Sequence, residues 1–242
     1  MFKTFVNAFK VPDIRKKIVL TLLLIVIYRL GCFIPIPGVN VEVVAEAAKN
    51  YDILGYLDLL TGSSFSNVTL FAMGISPYIT ASIIIQLLTI VFPSLEKLSK
   101  EEDGRQKIEE ITRYTGVGLA AVQSWGIFMG LNNSMSAGTS IFAGNPTGGF
   151  PLIYSYLVVI VCSCAGTAFL MWLGERITED GIGNGISMVI FASIVSRVPD
   201  AVIGWFTQLF TGVMAWWAFI ILLVVIVGMI LLVVAVDKAQ RR

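Results

Sequence analysis

Residues 213–236 read VMAWWAFIILLVVIVGMILLVVAV, which is 24 consecutive residues without a charged side chain. A helix of this length spans about 36 Å and exceeds the roughly 30 Å hydrocarbon core of a bilayer. The whole sequence has the same character, because 56% of its 242 residues are hydrophobic and 14% are charged. A water-soluble globule could not bury that much apolar surface. We therefore predict an all-α polytopic membrane protein.

Five further apolar runs precede this one. Together the six predicted transmembrane spans cover residues 18–33, 75–92, 115–131, 152–173, 186–199 and 213–236. The fifth run is short for a transmembrane helix, which needs about 20 residues.

The sequence predicts neither a structural disulfide nor a metal site. It has no histidine, and its three cysteines all lie in apolar stretches, at Cys32, Cys162 and Cys164.

The basic residues fall in alternate loops. Of the 17 lysines and arginines, 14 precede the first span or follow the second, fourth and sixth. Under the positive-inside rule both termini are then cytoplasmic, which requires an even number of spans and supports the short fifth one. Residues 1–17 become a basic cytosolic N-terminus, 94–112 a cytosolic loop, and 34–70, 132–151 and 200–212 external segments. The mixed charge of the cytosolic loop is typical of any such loop, and docking of a cytosolic partner is the alternative.

Few ionisable groups lie at membrane depth. Arg29, near the end of the first span, has a side chain long enough to reach the external interface. Gln86 and Gln123 lie in the second and third spans, where each must face protein or water rather than lipid. They either hydrogen-bond neighbouring helices or line a polar seam that can open. An ion-coupled transporter usually places charged groups at mid-membrane, and these spans carry no such site.

Two polar segments interrupt the apolar pattern. The external stretch 56–70 contains a Gly, Ser, Thr and Asn-rich turn and leads directly into the second span. It either folds back into a cavity as a re-entrant segment or lies on the outer leaflet as an interfacial helix. Residues 181–187 read GIGNGIS, and these alternating glycines favour a tight turn over a phosphate-binding loop, since no Lys-Ser or Lys-Thr follows.

Four ordered motifs resemble the SecY family, whose members form the pore of the bacterial Sec protein translocase. The motifs are FIPIPG at 33–38, GISPYITASIIIQLL at 74–88, MWLGERIT at 171–178 and GIGNGIS at 181–187. The resemblance extends over residues 12–242. It implies two inverted halves of five helices each, which clasp an hourglass-shaped pore.

The resemblance also implies how the chain is divided. Residues 18–198 correspond to the first half of the channel, with spans one to five and a short re-entrant plug helix at about 57–70. Residues 213–236 correspond to the opening helix of the second half, and residues 237–242 to the start of a cytosolic loop that is truncated here. The chain is therefore expected to be an incomplete half of the pore that does not translocate by itself.

Particular residues acquire roles through the same resemblance. Ile75, Ile79 and Ile190 correspond to this half's share of an apolar ring at the pore constriction; without the resemblance they would be core or lipid-facing residues. Gln86 and Gln123 become candidates for the lining of a lateral gate through which signal sequences reach lipid. The plug, which blocks the external funnel of the idle channel, includes Leu57, Leu60, Gly62, Ser63, Ser64, Phe65, Ser66, Asn67 and Leu70. Its small polar residues fit a segment that leaves its seat at modest cost, because they bury little apolar area.

The expected function is that of a protein-conducting channel subunit in the bacterial cytoplasmic membrane, which passes unfolded secretory polypeptides outward and inserts membrane proteins. The implied partners are SecE-type and SecG-type small membrane subunits, a SecA-type motor ATPase or the ribosome, signal sequences and nascent polypeptides, and the lipid bilayer. The sequence lacks a catalytic constellation and a nucleotide-binding loop, so neither an enzyme nor a cofactor is expected. The alternatives are a small-solute secondary transporter and a structural half-module that pairs with a complementary half or a second copy.

Overall fold

A computed structural model describes residues 11–50, 52–101, 104–134, 140–144, 149–212 and 215–239. Within these ranges the chain forms ten helices joined by turns. They are α1 (Pro12–Gly31), α2 (Val41–Asn50), α3 (Asp52–Thr61), α4 (Ser76–Val91), α5 (Pro93–Lys100), α6 (Gly104–Ser134), α7 (Phe150–Asp180), α8 (Gly185–Val195), α9 (Val198–Phe210) and α10 (Trp216–Ala239). The all-α prediction is confirmed.

Three helical stretches in the described part of the chain are long and apolar enough to cross a membrane. They are α7, the stretch Gly185–Phe210 and α10. A fourth is possible if α4 and α5, which meet at an angle of 103°, count as one broken span. Helices α1 and α6 are 20 and 31 residues long, but charged and polar residues keep them outside this set. For those two helices the predicted spans rest on the sequence pattern.

The chain divides into two compact units, Met1–Val195 and Ser196–Arg242. In the first unit, α6 packs against α4 and α7, α8 packs against α7, and α3 lies against α2 and α8. In the second unit, α9 and α10 meet through the tilted ring pair of Phe206 and Phe219, whose centroids are 5.7 Å apart. None of the described side chains of α10 is buried, which suits a helix that faces lipid or further protein.

The predicted external segment 200–212 is helical for most of its length, because α9 occupies Val198–Phe210. The helix breaks at residues 196–197 and restarts with Pro199 in its first turn, where a missing N–H removes no helical hydrogen bond. The apolar residues that follow, AVIGWFTQLF at 201–210, then continue the helix. Proline here marks a helix start rather than the end of a span.

Two buried apolar clusters organise the first unit. One contains Val44 of α2, Phe65, Phe128 of α6 and Phe142, each at most 2% exposed. The other joins α1, α7 and α8 around Phe71, and includes Leu24, Tyr28, Leu170, Leu173, Ile177 and Val189. The stretch 62–75 contributes to both clusters, with Phe65 in the first and Phe71 in the second. This stretch is therefore the packing link between them.

Helix α7 approaches this stretch closely at Gly166. A Cβ atom on Gly166 would overlap the backbone carbonyl of Leu70. Backbone cannot rotate away as a flexible side chain can, so the close contact requires glycine. By contrast, Gly118 on the exposed side of α6 has no atom within 4 Å of a Cβ built there.

We expect Gly166→Ala to destabilise the protein by about 2 kcal/mol or more, because the new methyl group must push α7 away from Leu70. The matched substitution Gly118→Ala should be neutral or slightly stabilising, since alanine is the better helix former. Thermal unfolding in detergent measures both variants. Equal melting temperatures for the two would contradict the tight packing at Gly166.

Candidate functional site

An apolar cavity of about 90 Å³ lies in the first unit where α1, α3, α4, α7 and α8 converge. Its lining consists of Tyr28, Leu60, Thr61, Met73, Gly74, Ile75, Ser76, Ile79, Leu170, Val189, Ile190 and Ser193. The lining contains no charged residue. Eight of the twelve lining residues are apolar or glycine, and the other four, Tyr28, Thr61, Ser76 and Ser193, carry neutral hydroxyl groups.

The three isoleucines assigned to the pore ring all line this cavity. Ile75 immediately precedes α4 and is 7% exposed, and Ile79 lies one helical turn later on the same face. Ile190 comes from α8, more than 100 residues further along the chain. The fold therefore brings together side chains that the sequence keeps far apart, while their role as a ring stays a prediction.

Helix α3 lies beside the cavity and contributes Leu60 and Thr61 from its last turn. Only the start of the predicted plug segment at about 57–70 is helical, because the helix ends at Thr61 and residues 62–75 form turns, and its role as a plug stays a prediction. Gly62 ends it with φ +64°, the left-handed conformation that terminates helices. Ser63 N–H donates to the Asp58 carbonyl at 3.0 Å and Gly62 N–H to the Leu59 carbonyl at 3.4 Å, which is the Schellman pattern.

Side chains of α3 accept hydrogen bonds from the backbone of the following turns, which are also hydrogen-bonded among themselves. The Asp58 carboxylate accepts the Ser66 N–H at 2.8 Å, and Thr61 Oγ1 accepts the Phe65 N–H at 3.3 Å. Thr69 donates from both its N–H and its hydroxyl to the Ser64 carbonyl, at 3.0 and 3.2 Å. The segment 57–70 is thus a helix end closed by a hydrogen-bonded loop.

The predicted plug residues differ widely in burial. Gly62, Ser64 and Phe65 are buried, Asn67 is exposed, and Leu57, Leu60, Ser63, Ser66 and Leu70 are half-buried. Phe65 is 1% exposed and Val68 is fully buried. The segment is rich in small polar residues, but the large apolar side chains of Phe65 and Val68 hold it in the core at these two positions. On α3 itself Tyr56 and Leu59 are exposed, whereas Asp58 and Thr61 are buried.

The FIPIPG motif holds the far end of the segment. Ile36 N–H donates to the Val68 carbonyl at 2.8 Å, and Leu70 N–H donates to the Ile34 carbonyl at 2.9 Å. Pro35 lies between them, opposite Thr69 in an antiparallel bridge, where its missing N–H is not needed. The motif therefore anchors residues 68–70, a role that the sequence did not suggest.

The last turn of α1 contacts two other elements through adjacent side chains. Tyr28 is buried, hydrogen-bonds Ser193 of α8 at 2.6 Å and stacks on Phe71 with ring centroids 5.8 Å apart. Arg29 Nη1 donates to the Gly62 carbonyl at 3.1 Å, and its guanidinium lies 5.5 Å from the ring centroid of Phe33. The sequence pattern suggested that the Arg29 side chain extends towards the external interface. In the structure it instead binds the end of α3.

The two glutamines do not line the cavity. Gln86 is exposed on α4 and donates to Ser82 Oγ at 3.2 Å, whereas Gln123 is half-buried on α6. The buried hydrogen bond between α6 and α7 comes from the next residue, since Ser124 Oγ donates to Ser163 Oγ at 3.1 Å. The lateral-gate assignment of both glutamines stays a prediction.

In the part of the chain that the structure describes, no group of three or more Cys, Asp or Glu side chains could hold a metal ion.

Comparison with known proteins gives consistent results. The SecY family matches residues 69–242. The protein translocase subunit SecY of Streptomyces coelicolor is 42% identical over 253 aligned residues, which cover 100% of this chain and 56% of that protein. The corresponding subunit of Bacillus licheniformis is 43% identical, with coverage of 100% and 55%. That of Aquifex aeolicus is 40% identical, with coverage of 97% and 54%. The chain spans about half the length of these relatives.

Two solved structures share the fold. One is described as Sec61 in the canine ribosome-channel complex from the endoplasmic reticulum, and the other as the structure of a protein conducting channel. Each aligns with a TM-score of 0.61 at 19% identity and covers 95% of this chain and 51% of the other. At this identity the likeness concerns the fold alone.

Proposed function

The chain belongs to the SecY family, and we propose that it forms the first half of the wall of a protein-conducting channel. The assembled channel passes unfolded secretory polypeptides across the membrane and releases hydrophobic segments into lipid. The observation that carries this proposal is the meeting of Ile75, Ile79 and Ile190 at one apolar cavity beside a short helix. The remainder of the channel supplies the facing wall.

The three isoleucines form this half's share of the constriction. Branched apolar side chains around a narrow opening exclude ions because water does not wet them. The same side chains have no fixed hydrogen-bonding demand and yield to an unfolded chain of any sequence. A small-solute transporter instead needs polar or charged groups that recognise its substrate, and the cavity lining provides none with a charge.

In this proposal α3 is the moving part of the plug, and its last turn closes the cavity through Leu60 and Thr61. Residues 65–70 stay in place, because the core and the FIPIPG motif hold them. Gly62 and Ser63, both with positive φ, lie between the two parts and form the hinge. Opening therefore requires displacement of one ten-residue helix rather than of the whole segment.

The membrane orientation and partners follow from the same family membership. We place both termini in the cytoplasm and the protein in the bacterial cytoplasmic membrane, as the distribution of basic residues favours. Small SecE-type and SecG-type subunits surround the pore, and a SecA-type motor ATPase or the ribosome delivers the substrate. Gln86 and Gln123 lie along the lateral gate, where their amides hydrogen-bond water or a passing signal sequence.

Site-specific crosslinking tests the pore. In the full-length channel with a secretory chain stalled in transit, a cysteine at Ile79 should crosslink to that chain. The matched control is Ile90→Cys on the same helix, whose side chain is 78% exposed and lies outside the cavity lining. Equal crosslinking at both positions, or none at Ile79, would contradict the assignment.

A further inference from the structure

We propose that Arg29 is a positioning residue that latches α3 in the closed channel, through its hydrogen bond to the Gly62 carbonyl. The inference rests on the proposed plug function of α3. Arg29 lies near the end of the first span, and the sequence pattern suggested only that its side chain reaches the external interface. The inference gives this residue a specific role. In the closed state the latch holds the hinge end of α3 to α1.

The Arg29 guanidinium lies close to the C-terminal ends of both α1 and α3. Arg29 belongs to the last turn of α1, and Gly62 directly follows the last residue of α3. The carbonyl ends of helices carry partial negative charge, so a guanidinium there is favourable for both helices at once. The Schellman hydrogen bonds of α3 use the N–H groups of Gly62 and Ser63, and the Gly62 carbonyl accepts from Arg29.

The remaining contacts of Arg29 favour the same position. Its guanidinium lies 5.5 Å from the ring of Phe33, which supports a cation at the entrance to the FIPIPG loop. Its neighbour Tyr28 is fixed by Ser193 and Phe71, so the last turn of α1 is a rigid base. The guanidinium therefore reaches the Gly62 carbonyl from a helix end held by Tyr28, whereas α3 leaves Tyr56 and Leu59 exposed.

The latch predicts a specific change in the idle leak. Removing the cation and its hydrogen bond weakens the closed state and should raise ion leak through the resting full-length channel by about tenfold, as expected for a hydrogen bond to a charged group. Arg29→Gln is the test variant, and Arg29→Lys, which keeps the charge but loses the planar donor geometry, should give a smaller increase. Conductance of channels reconstituted in vesicles measures both. Lys107→Gln removes one exposed positive charge elsewhere and should leave the leak unchanged.

A second background separates the latch from the plug itself. Residues 52–64 are replaced by a Gly/Ser linker of equal length, which removes α3 and retains Phe65. This channel should leak, and adding Arg29→Gln should increase the leak no further. If the linker variant does not leak, the plug function is wrong. If the linker variant leaks, but Arg29→Gln in the channel that retains α3 leaks no more than wild type, the plug function stands and the latch is wrong.

Two further outcomes also decide the matter. An equal rise in leak with and without α3 would overturn the latch, because Arg29 would then act on another part of the channel. If Arg29→Gln reduces the amount of assembled channel, the test uses Arg29→Lys instead, and its leak is measured on the assembled fraction. A wild-type leak in that variant would overturn the proposal.

Discussion

Phe65→Ala is expected to open the resting channel and destabilise the fold together. The ring is 1% exposed and packs in the cluster that contains Val44, Phe128 and Phe142. Truncating a buried phenylalanine to alanine typically costs about 3–5 kcal/mol, because the transfer free energy is lost and a cavity remains. Phe65 lies two residues after the hinge, so its loss weakens the packing that holds the hinge end of α3 beside the cavity.

The matched control is Tyr56→Ala on α3 itself. Tyr56 is 64% exposed, so its truncation removes an aromatic ring of similar size without opening a core cavity. We expect a large fall in melting temperature and a raised idle conductance for Phe65→Ala, and small changes for Tyr56→Ala. If both variants melt as wild type, residues 65–68 are not the anchor. If Phe65→Ala melts early without added leak, the anchor is structural and does not seat α3.

Much of the fold follows from the sequence because lipid imposes a simple rule. Backbone groups in hydrocarbon must be satisfied within the segment, so a long apolar run has to be a helix. Residues 152–173 accordingly lie within α7, and residues 216–236 of the predicted sixth span lie within α10. The sequence pattern did not predict helix α9, whose apolar residues follow Pro199 within the segment 200–212.

The candidate site depended on information of a different kind. The grouping of Ile75, Ile79 and Ile190 came from the family resemblance, since nothing in the local pattern separates these residues from lipid-facing isoleucines. Gly62 did carry a usable signal, because glycine after an apolar helical turn is the ordinary C-terminal cap. That signal gives the correct end of α3. The Arg29 contact could not have been predicted, because it joins residues 33 positions apart through a turn whose shape depends on the tertiary packing.

The largest effect on leak is expected from the ring itself. In a channel that carries Ile75→Asn, Ile79→Asn and Ile190→Asn, each amide hydrates a position that an apolar side chain kept dry. Ile75 is buried and Ile79 and Ile190 are half-buried. Full burial of an isoleucine is worth about 2 kcal/mol of transfer free energy, so the three replacements together should raise ion conductance of the resting channel by about a hundredfold or more. The effect should exceed that of Arg29→Gln, because the three substitutions remove the apolar constriction itself, whereas Arg29→Gln only weakens the attachment of α3 beside it.

The control replaces the same three isoleucines by leucine, which keeps the side-chain volume and the apolar character. This channel should conduct little more than wild type, and it should still pass a secretory chain. If asparagine and leucine variants conduct equally, the seal does not depend on dewetting at this cavity. If the asparagine variant stays closed while removal of α3 opens it, then α3 alone seals the channel and the three isoleucines only line its seat.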